Sequence, residues 1–231
     1  MEPRVRYQLR DGIAEIQIDD GKVNALTLEL FGELGGAFDR AKADRAVVVF
    51  GGRPGVFSAG FDLRVLRAGG AAANETVRTG FELAERILAF PTPVVIACTG
   101  HAIAMGVFLV LAGDYRIGAQ GAFRIGANEV AIGITMPRFG VEMCRQRLAP
   151  AHFQRAVGLA EMYAPEDAVA AGFLDRVVPA DDVLRAAREV AAQLATLPVD
   201  VHAASKLRAR EHALAAIRAA IEADAATPLV S

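Results

Sequence analysis

Val94-Val95-Ile96-Ala97-Cys98-Thr99-Gly100-His101-Ala102-Ile103-Ala104-Met105-Gly106-Val107-Phe108-Leu109-Val110-Leu111-Ala112-Gly113 contains only two clearly polar side chains, Thr99 and His101. Its length approaches the about 20 apolar residues of a membrane-spanning helix. The internal pattern points elsewhere. Val94, Val95 and Ile96 are β-branched and follow Pro91 and Pro93, which suits a buried strand. Thr99-Gly100 reads as a turn, and Ala102 to Ala112 as a short buried helix. No other segment resembles a span. Strand, turn and buried helix make the chain an α/β protein.

The flanks fit that reading. Residues 5–10 and 13–18 alternate in polarity around Asp11-Gly12, a hairpin signal. Thr27 is placed to cap a helix whose apolar stripe is Leu30, Leu34, Phe38 and Ala41. Ala46–Phe50 reads as a buried strand, residues 51–55 as a loop, and about residues 74–89 as a helix. Tyr115–Gly118 and Ala122–Ile125 read as short strands. From Pro150 onward the pattern is helical, with stripes at Val183, Leu184, Ala187, Val190 and Leu194 and at Leu207, Leu214, Ile217 and Ile221. The expected division is an α/β core over residues 1–178 and a helical region over 179–231. The second stripe is the expected surface of a homo-oligomer, although it is equally able to fold back on its own core.

Composition narrows the function. Lys plus Arg is 25 and Asp plus Glu is 27, so the net charge of −2 argues against general nucleic-acid binding. A hydrophobic content of 53% argues against disorder. Cys98 and Cys144 form no C-x-x-C, and His101, His152, His202 and His212 are not spaced as metal ligands, so neither a disulfide framework nor a metal site is expected. The N-terminal segment carries no apolar signal core, so the expected location is cytoplasmic, away from membranes. Phosphate-cradling and dinucleotide-binding glycine motifs are missing, and Ser58 has only half of a nucleophile elbow.

Three pieces carry chemistry. Phe57-Ser58-Ala59-Gly60-Phe61-Asp62-Leu63 and Gly100-His101-Ala102-Ile103-Ala104-Met105-Gly106 are loop-to-helix junctions, where free backbone N–H groups bind an oxyanion. Asn128-Glu129-Val130-Ala131-Ile132-Gly133 sets a lone carboxylate among apolar residues, a setting that raises its pKa and suits a general base. Singly, each reads as an ordinary turn or a solvated Glu.

Together, with Asn24-Ala25-Leu26, Gly113-Asp114-Tyr115-Arg116-Ile117 and Ala168-Val169-Ala170-Ala171-Gly172-Phe173-Leu174-Asp175-Arg176-Val177-Val178, they resemble the crotonase superfamily of enoyl-CoA hydratases and isomerases over about residues 5–225. The resemblance implies a spiral of ββα units, C-terminal helices that assemble trimers or dimers of trimers, and an acyl-CoA thioester as substrate with no separate cofactor. It implies that the thioester oxygen lies between the N–H groups of Phe61 and Met105, and that Ala59, Gly60, Gly106 and Phe108 border the acyl pocket, which the Met105 side chain would narrow. The CoA moiety would lie near Lys22, Val23, Ser58 and Arg64. Its phosphates would meet Arg64, Arg67 or the cluster Lys206, Arg208 and Arg210, which reads equally well as a solvated helix face.

The chain departs from the hydratase pattern at one position. Hydratases of the superfamily use two glutamates. The second matches Glu129, but Phe108 stands where the first belongs, and Val107 to Gly113 holds no carboxylate. Asp114 matches an aspartate at a strand start and reads as structural. A single glutamate suffices to move a double bond, and Ile125-Gly126-Ala127-Asn128-Glu129-Val130-Ala131-Ile132-Gly133 resembles the delta-isomerase string. The favoured expectation is 3-enoyl-CoA to 2-enoyl-CoA isomerisation. A weak hydratase working through Glu129 alone and a non-catalytic acyl-CoA-binding protein remain open.

Overall fold

Asp11-Gly12 turns the chain between β1 (Val5–Arg10) and β2 (Ile13–Ile18), which pair antiparallel. In the computed structural model, which describes residues 4–226, this hairpin forms one edge of a six-stranded sheet. Residues 1–3, the start of the segment without a signal core, and residues 227–231, the end of the helical region, lie outside the described residues. Thr27 caps α1 (Leu28–Ala43) by accepting the Leu30 N–H at 3.2 Å, and the stripe of Leu30, Leu34, Phe38 and Ala41 is buried.

There follow β3 (Val47–Gly51), β4 (Gly55–Ser58), α2 (Leu63–Ala68), α3 (Gly70–Leu88), β5 (Val94–Cys98), β6 (Gly100–Ile103), α4 (Met105–Ala112), β7 (Tyr115–Ala119) and β8 (Ile125–Gly126). A 3-10 turn, Val130–Ile132, leads to α5 (Arg138–Arg145), α6 (Pro150–Gly158), α7 (Pro165–Ala171), β9 (Arg176–Val178), α8 (Val183–Leu194) and α9 (Val199–Ala225). The large sheet runs β1-β2-β3-β5-β7-β9 and the small one β4-β6-β8. From β3 to α5 each passage gives one strand to the large sheet, the next to the small sheet, and then a helix, so the chain winds as a spiral of ββα units. Beyond the β1–β2 hairpin the named strands of the described residues pair in parallel.

Every residue of β3 and β5 is buried, as befits parallel strands covered on both faces. On one face α8 lays Val183, Ala187 and Ala191 over Val47, Val49, Val95, Ala97 and Ile117. On the other, Phe38, Phe50, Phe57 and Phe90 meet edge to face at 5.2–5.7 Å between ring centroids. All eight residues of α4 are buried, so the apolar stretch is the core and not a membrane span. No helix among the described residues is long and apolar enough to cross a membrane.

Four expectations are corrected. Thr99-Gly100 is not a free turn: Gly100 begins β6 and pairs with Gly55, because the chain passes here from one sheet to the other. The strand expected at Ala122–Ile125 is confined to Ile125–Gly126, which pair with Ala102 and Ile103 of β6. The α9 stripe faces inward. Ile217 and Ile221 are buried in the chain's own core, Leu214 packs against it, and only Leu207 is exposed. The basic cluster of that helix divides the same way. Lys206 is buried and reaches Asp114 at 2.7 Å, and Arg210 reaches Asp114 at 2.8 Å and the Leu88 carbonyl at 2.6 Å. These two neither form a solvated face nor stand free for phosphates. Asp114, which also accepts the Val94 N–H at 2.7 Å, ties α9 to β5 and β7.

Candidate active site

The two junctions lie against each other. After β4 the chain turns through Gly60, whose φ is +89°, to Phe61. A Cβ built on Gly60 would stand 2.9 Å from Ala104 Cβ, 3.0 Å from the Ile103 carbonyl oxygen and 3.3 Å from the Met105 nitrogen. Only glycine permits both that φ and that approach. Leu26 donates its N–H to the Gly60 carbonyl at 2.8 Å and accepts the Asp62 N–H at 3.1 Å. Strand alternation therefore turns the Phe61 N–H away from Leu26. Asn24 anchors the loop from beneath, with its amide donating to Ile18 and Phe57 carbonyls at 3.0 Å each.

At the second junction Ala104 holds φ 52° and ψ −127°, a conformation that costs a side chain of the L series about 1–3 kcal/mol. It is fixed by its N–H bond to the Gly126 carbonyl at 3.1 Å and by its carbonyl, which accepts the Val107 N–H at 2.9 Å. The strain starts α4 at Met105, whose N–H is one of the helix-terminal donors without an intrahelical acceptor. Gly106 lets α4 press on β4, since a Cβ there would fall 2.5 Å from the Ser58 carbonyl oxygen.

Glu129 follows β8 and is 7% exposed. Its Oε2 has no hydrogen-bond partner, and burial pushes its pKa up to about 7. The tight 3-10 turn after it, closed by Ile134 N–H donating to the Glu129 carbonyl at 2.9 Å, fixes the backbone on which the carboxyl stands. Glu129 lines a cavity of about 110 Å³ whose walls also include Ala59, Phe61, Ala104 and Phe108. Among the described residues Asn128 is the only other polar side chain of that lining, and its Oδ1 is also buried without a partner. Phe108 is 1% exposed and meets Phe139 edge to face at 5.7 Å, so the wall it forms is an apolar ring. Such a cavity offers one carboxyl and one amide in walls otherwise of hydrocarbon, and its Phe61 and Ala104 side belongs to the two junctions.

Of the residues expected at the site, Glu129, Phe61, Phe108 and Ala59 line the cavity. Gly60 and Gly106 shape it from behind through the close approaches above. The Met105 side chain does not narrow the cavity, because it is fully buried in the core and absent from the lining. Ser58 is fully buried, donating its hydroxyl to the Asn24 carbonyl at 2.8 Å and accepting the Gly60 N–H at 3.1 Å, so its side chain supports the loop and is not free for a ligand. Lys22 and Val23 are exposed, as is the Arg64 side chain, which pairs with Asp62 at 2.7 Å. Sequence reasoning missed the unpartnered Asn128 amide, although Asn128 stood in the quoted string. It also missed the walls from α2 and α3, Leu66, Val77 and Phe81, which reach the cavity only through tertiary packing. Among the described residues no three His, Cys, Asp or Glu side chains converge to hold a metal ion.

Comparison with known proteins agrees with this geometry. The sequence model of the family described as Enoyl-CoA hydratase/isomerase matches residues 8–227. The chain is 30% identical over 216 residues to a protein named probable enoyl-CoA hydratase from Mycobacterium avium, covering 92% of this chain and 79% of that one. It is 32% identical over 192 residues to the mitochondrial enoyl-CoA delta isomerase 1 of Rattus norvegicus, covering 81% and 66%. Among solved structures, an enoyl-CoA hydratase/isomerase family protein from Pseudomonas syringae superposes with a TM-score of 0.96 at 45% identity, over 98% of each chain.

Proposed function

The chain belongs to the enoyl-CoA hydratase/isomerase family, and within it we propose that this enzyme moves the double bond of a 3-enoyl-CoA thioester to the 2-position. One observation carries the choice: among the described residues Glu129 is the only ionisable side chain lining the cavity. The thioester oxygen sits between the Phe61 and Met105 N–H groups, which stabilise the negative charge as it develops. Glu129, poised near neutrality by burial, takes a proton from the α-carbon, and the electrons pass into a dienolate held by the two donors. The same carboxyl returns the proton to the γ-carbon. The apolar walls exclude a competing water, and Phe108 denies the site the second carboxylate that would activate one. The CoA moiety lies toward the exposed Lys22, Val23 and Arg64.

Hydration is the second reading, favoured by the unpartnered Asn128 Oδ1, an acceptor for a water beside Glu129. Assay of both reactions on the purified protein separates them. The expected result is isomerisation of a 3-enoyl-CoA well above hydration of crotonyl-CoA. Hydration by the wild type at rates above about 10 per second, a typical enzyme turnover, overturns the proposal. In Phe108→Glu, checked first for folding by circular dichroism, hydration is expected to rise and isomerisation to fall.

A further inference from the structure

A second cavity of about 230 Å³ lies beyond the first, and Leu66, Val77 and Phe81 line both. Its remaining walls come from α3, through Ala73 and Asn74, and from the end of α9, through Ile221, Asp224 and Ala225. We propose that the two cavities are consecutive chambers of one acyl channel. The substrate is then a medium- or long-chain acyl thioester whose tail passes Leu66, Val77 and Phe81 into a chamber closed by the chain's own C-terminal helix. This rests on the acyl-CoA reading of the Glu129 cavity.

Three features support continuity. The partition consists of three apolar side chains, so rotamer changes open it without moving a strand or a loop. Its α2 side is light, for no residue of that helix is buried. The charged side chains of the second chamber, Asp224 and Arg78, are already paired and Asn74 is exposed, which leaves Leu66, Ala73, Val77, Phe81 and Ile221 to face a tail. Asp224 Oδ1 accepts the Arg138 N–H at 3.1 Å and Oδ2 accepts the Phe139 N–H at 2.9 Å, while Arg78 pairs with Glu82 at 2.9 Å. The same Asp224 contacts hold α9 on α5, where Phe139 stacks on Phe81 at 4.1 Å and 16°. The C-terminal helix, the far chamber and the partition therefore form one connected wall. A channel that ended at Phe81 would leave the larger cavity without an occupant.

The test measures affinity for saturated thioesters, which bind without turning over. Calorimetry with butanoyl-, hexanoyl-, octanoyl- and decanoyl-CoA is expected to show affinity rising at least about a hundredfold from the first to the last, below the roughly fourfold per methylene of complete burial. Ala73→Phe fills the far chamber, and Ala225→Phe fills it from an exposed position should the buried variant fail to fold. In each the decanoyl-to-butanoyl affinity ratio is expected to fall at least tenfold. A wild-type profile flat beyond butanoyl, or a ratio that neither variant changes, overturns the channel. Chain-length-dependent affinity with no isomerase turnover overturns the proposed reaction and leaves the channel standing, whereas failure of every thioester to bind overturns both.

Discussion

Glu129 and Asp224 are carboxylates of nearly equal exposure, 7% and 6%, each in the wall of one of two neighbouring cavities. Asp224 accepts two backbone N–H groups at the start of α5, where the helix dipole favours a negative charge. Glu129 has an oxygen with no partner and no cation beside it, and burial lifts its pKa to about 7. Burial sets the cost of a charge, and partners decide whether that cost becomes structure or reactivity. Asp224 fastens the C-terminal helix, whereas Glu129 is left close to the pH at which a proton moves easily in either direction.

The largest effect should come from removing the unpaired member. Glu129→Gln keeps shape and loses the base, so isomerase turnover should fall about 100- to 10,000-fold, with acyl-CoA affinity retained. Wild-type turnover in this variant would place the base elsewhere. Next in size is Gly60→Ala, which breaks the frame that Glu129 works against. The added methyl meets Ala104 and the Met105 nitrogen at a φ of +89° and displaces the paired donors. Loss of such a donor lowers turnover by about 100- to 1,000-fold. A folded Gly60→Ala protein with undiminished rate would show that the junction does not hold the oxyanion.

The contrast between the two carboxylates was half legible in the sequence. Glu129 stood out because apolar neighbours flank it within five residues, and the Asn24, Gly60 and Gly106 motifs marked where backbones meet. Asp224 carried no local signal: its partners, Arg138 and Phe139, are some 85 positions away, and only the packing of α9 on α5 brings them together. Lys206 and Arg210 misled for the same reason, since a basic run on a helix looks solvated until Asp114 is placed beneath it. The alternation of strand and helix gave the fold class, because periodicity is local. The inward turn of Ile217 and Ile221 was not legible, because an apolar stripe does not name what covers it.

The pH dependence sharpens the comparison through Glu129. Its folded pKa of about 7 lies above the ordinary 4.5, so the native state holds the proton more tightly than the unfolded chain. The sign follows: Glu129 costs no stability below pH 4.5, and the cost grows as pH rises from 4.5 to 7 and levels off above that, at roughly 3 kcal/mol for a shift of that size. Activity needs the ionised base and should rise over the same interval. Between pH 5 and 7 the Glu129 contribution to stability should therefore fall while the rate rises, and that slope should appear in the difference in stability between wild type and Glu129→Gln, since His202 and Lys206, whose pKa values burial lowers, titrate in both proteins alike. A difference that does not change over this interval would contradict the assignment.

The smallest expected effect tests the paired member. Asp224→Asn keeps the side chain's shape but replaces one acceptor with a donor aimed at the N–H groups of Arg138 and Phe139. One backbone donor at the start of α5 is then buried without a partner, and the favourable charge at the helix end is lost. The expected cost is about 1–3 kcal/mol, seen as a fall in Tm of about 2–4 °C for each kcal/mol. Because α9 closes only the second cavity, turnover of a short substrate should change little, while decanoyl-CoA affinity should fall as that wall loosens. Glu129→Gln should give the reverse pattern, with activity lost and stability kept at pH 4 and raised near neutrality. If Asp224→Asn instead abolished short-chain turnover without lowering Tm, the paired carboxylate would be the reactive one, and the division of roles between the two residues would be wrong.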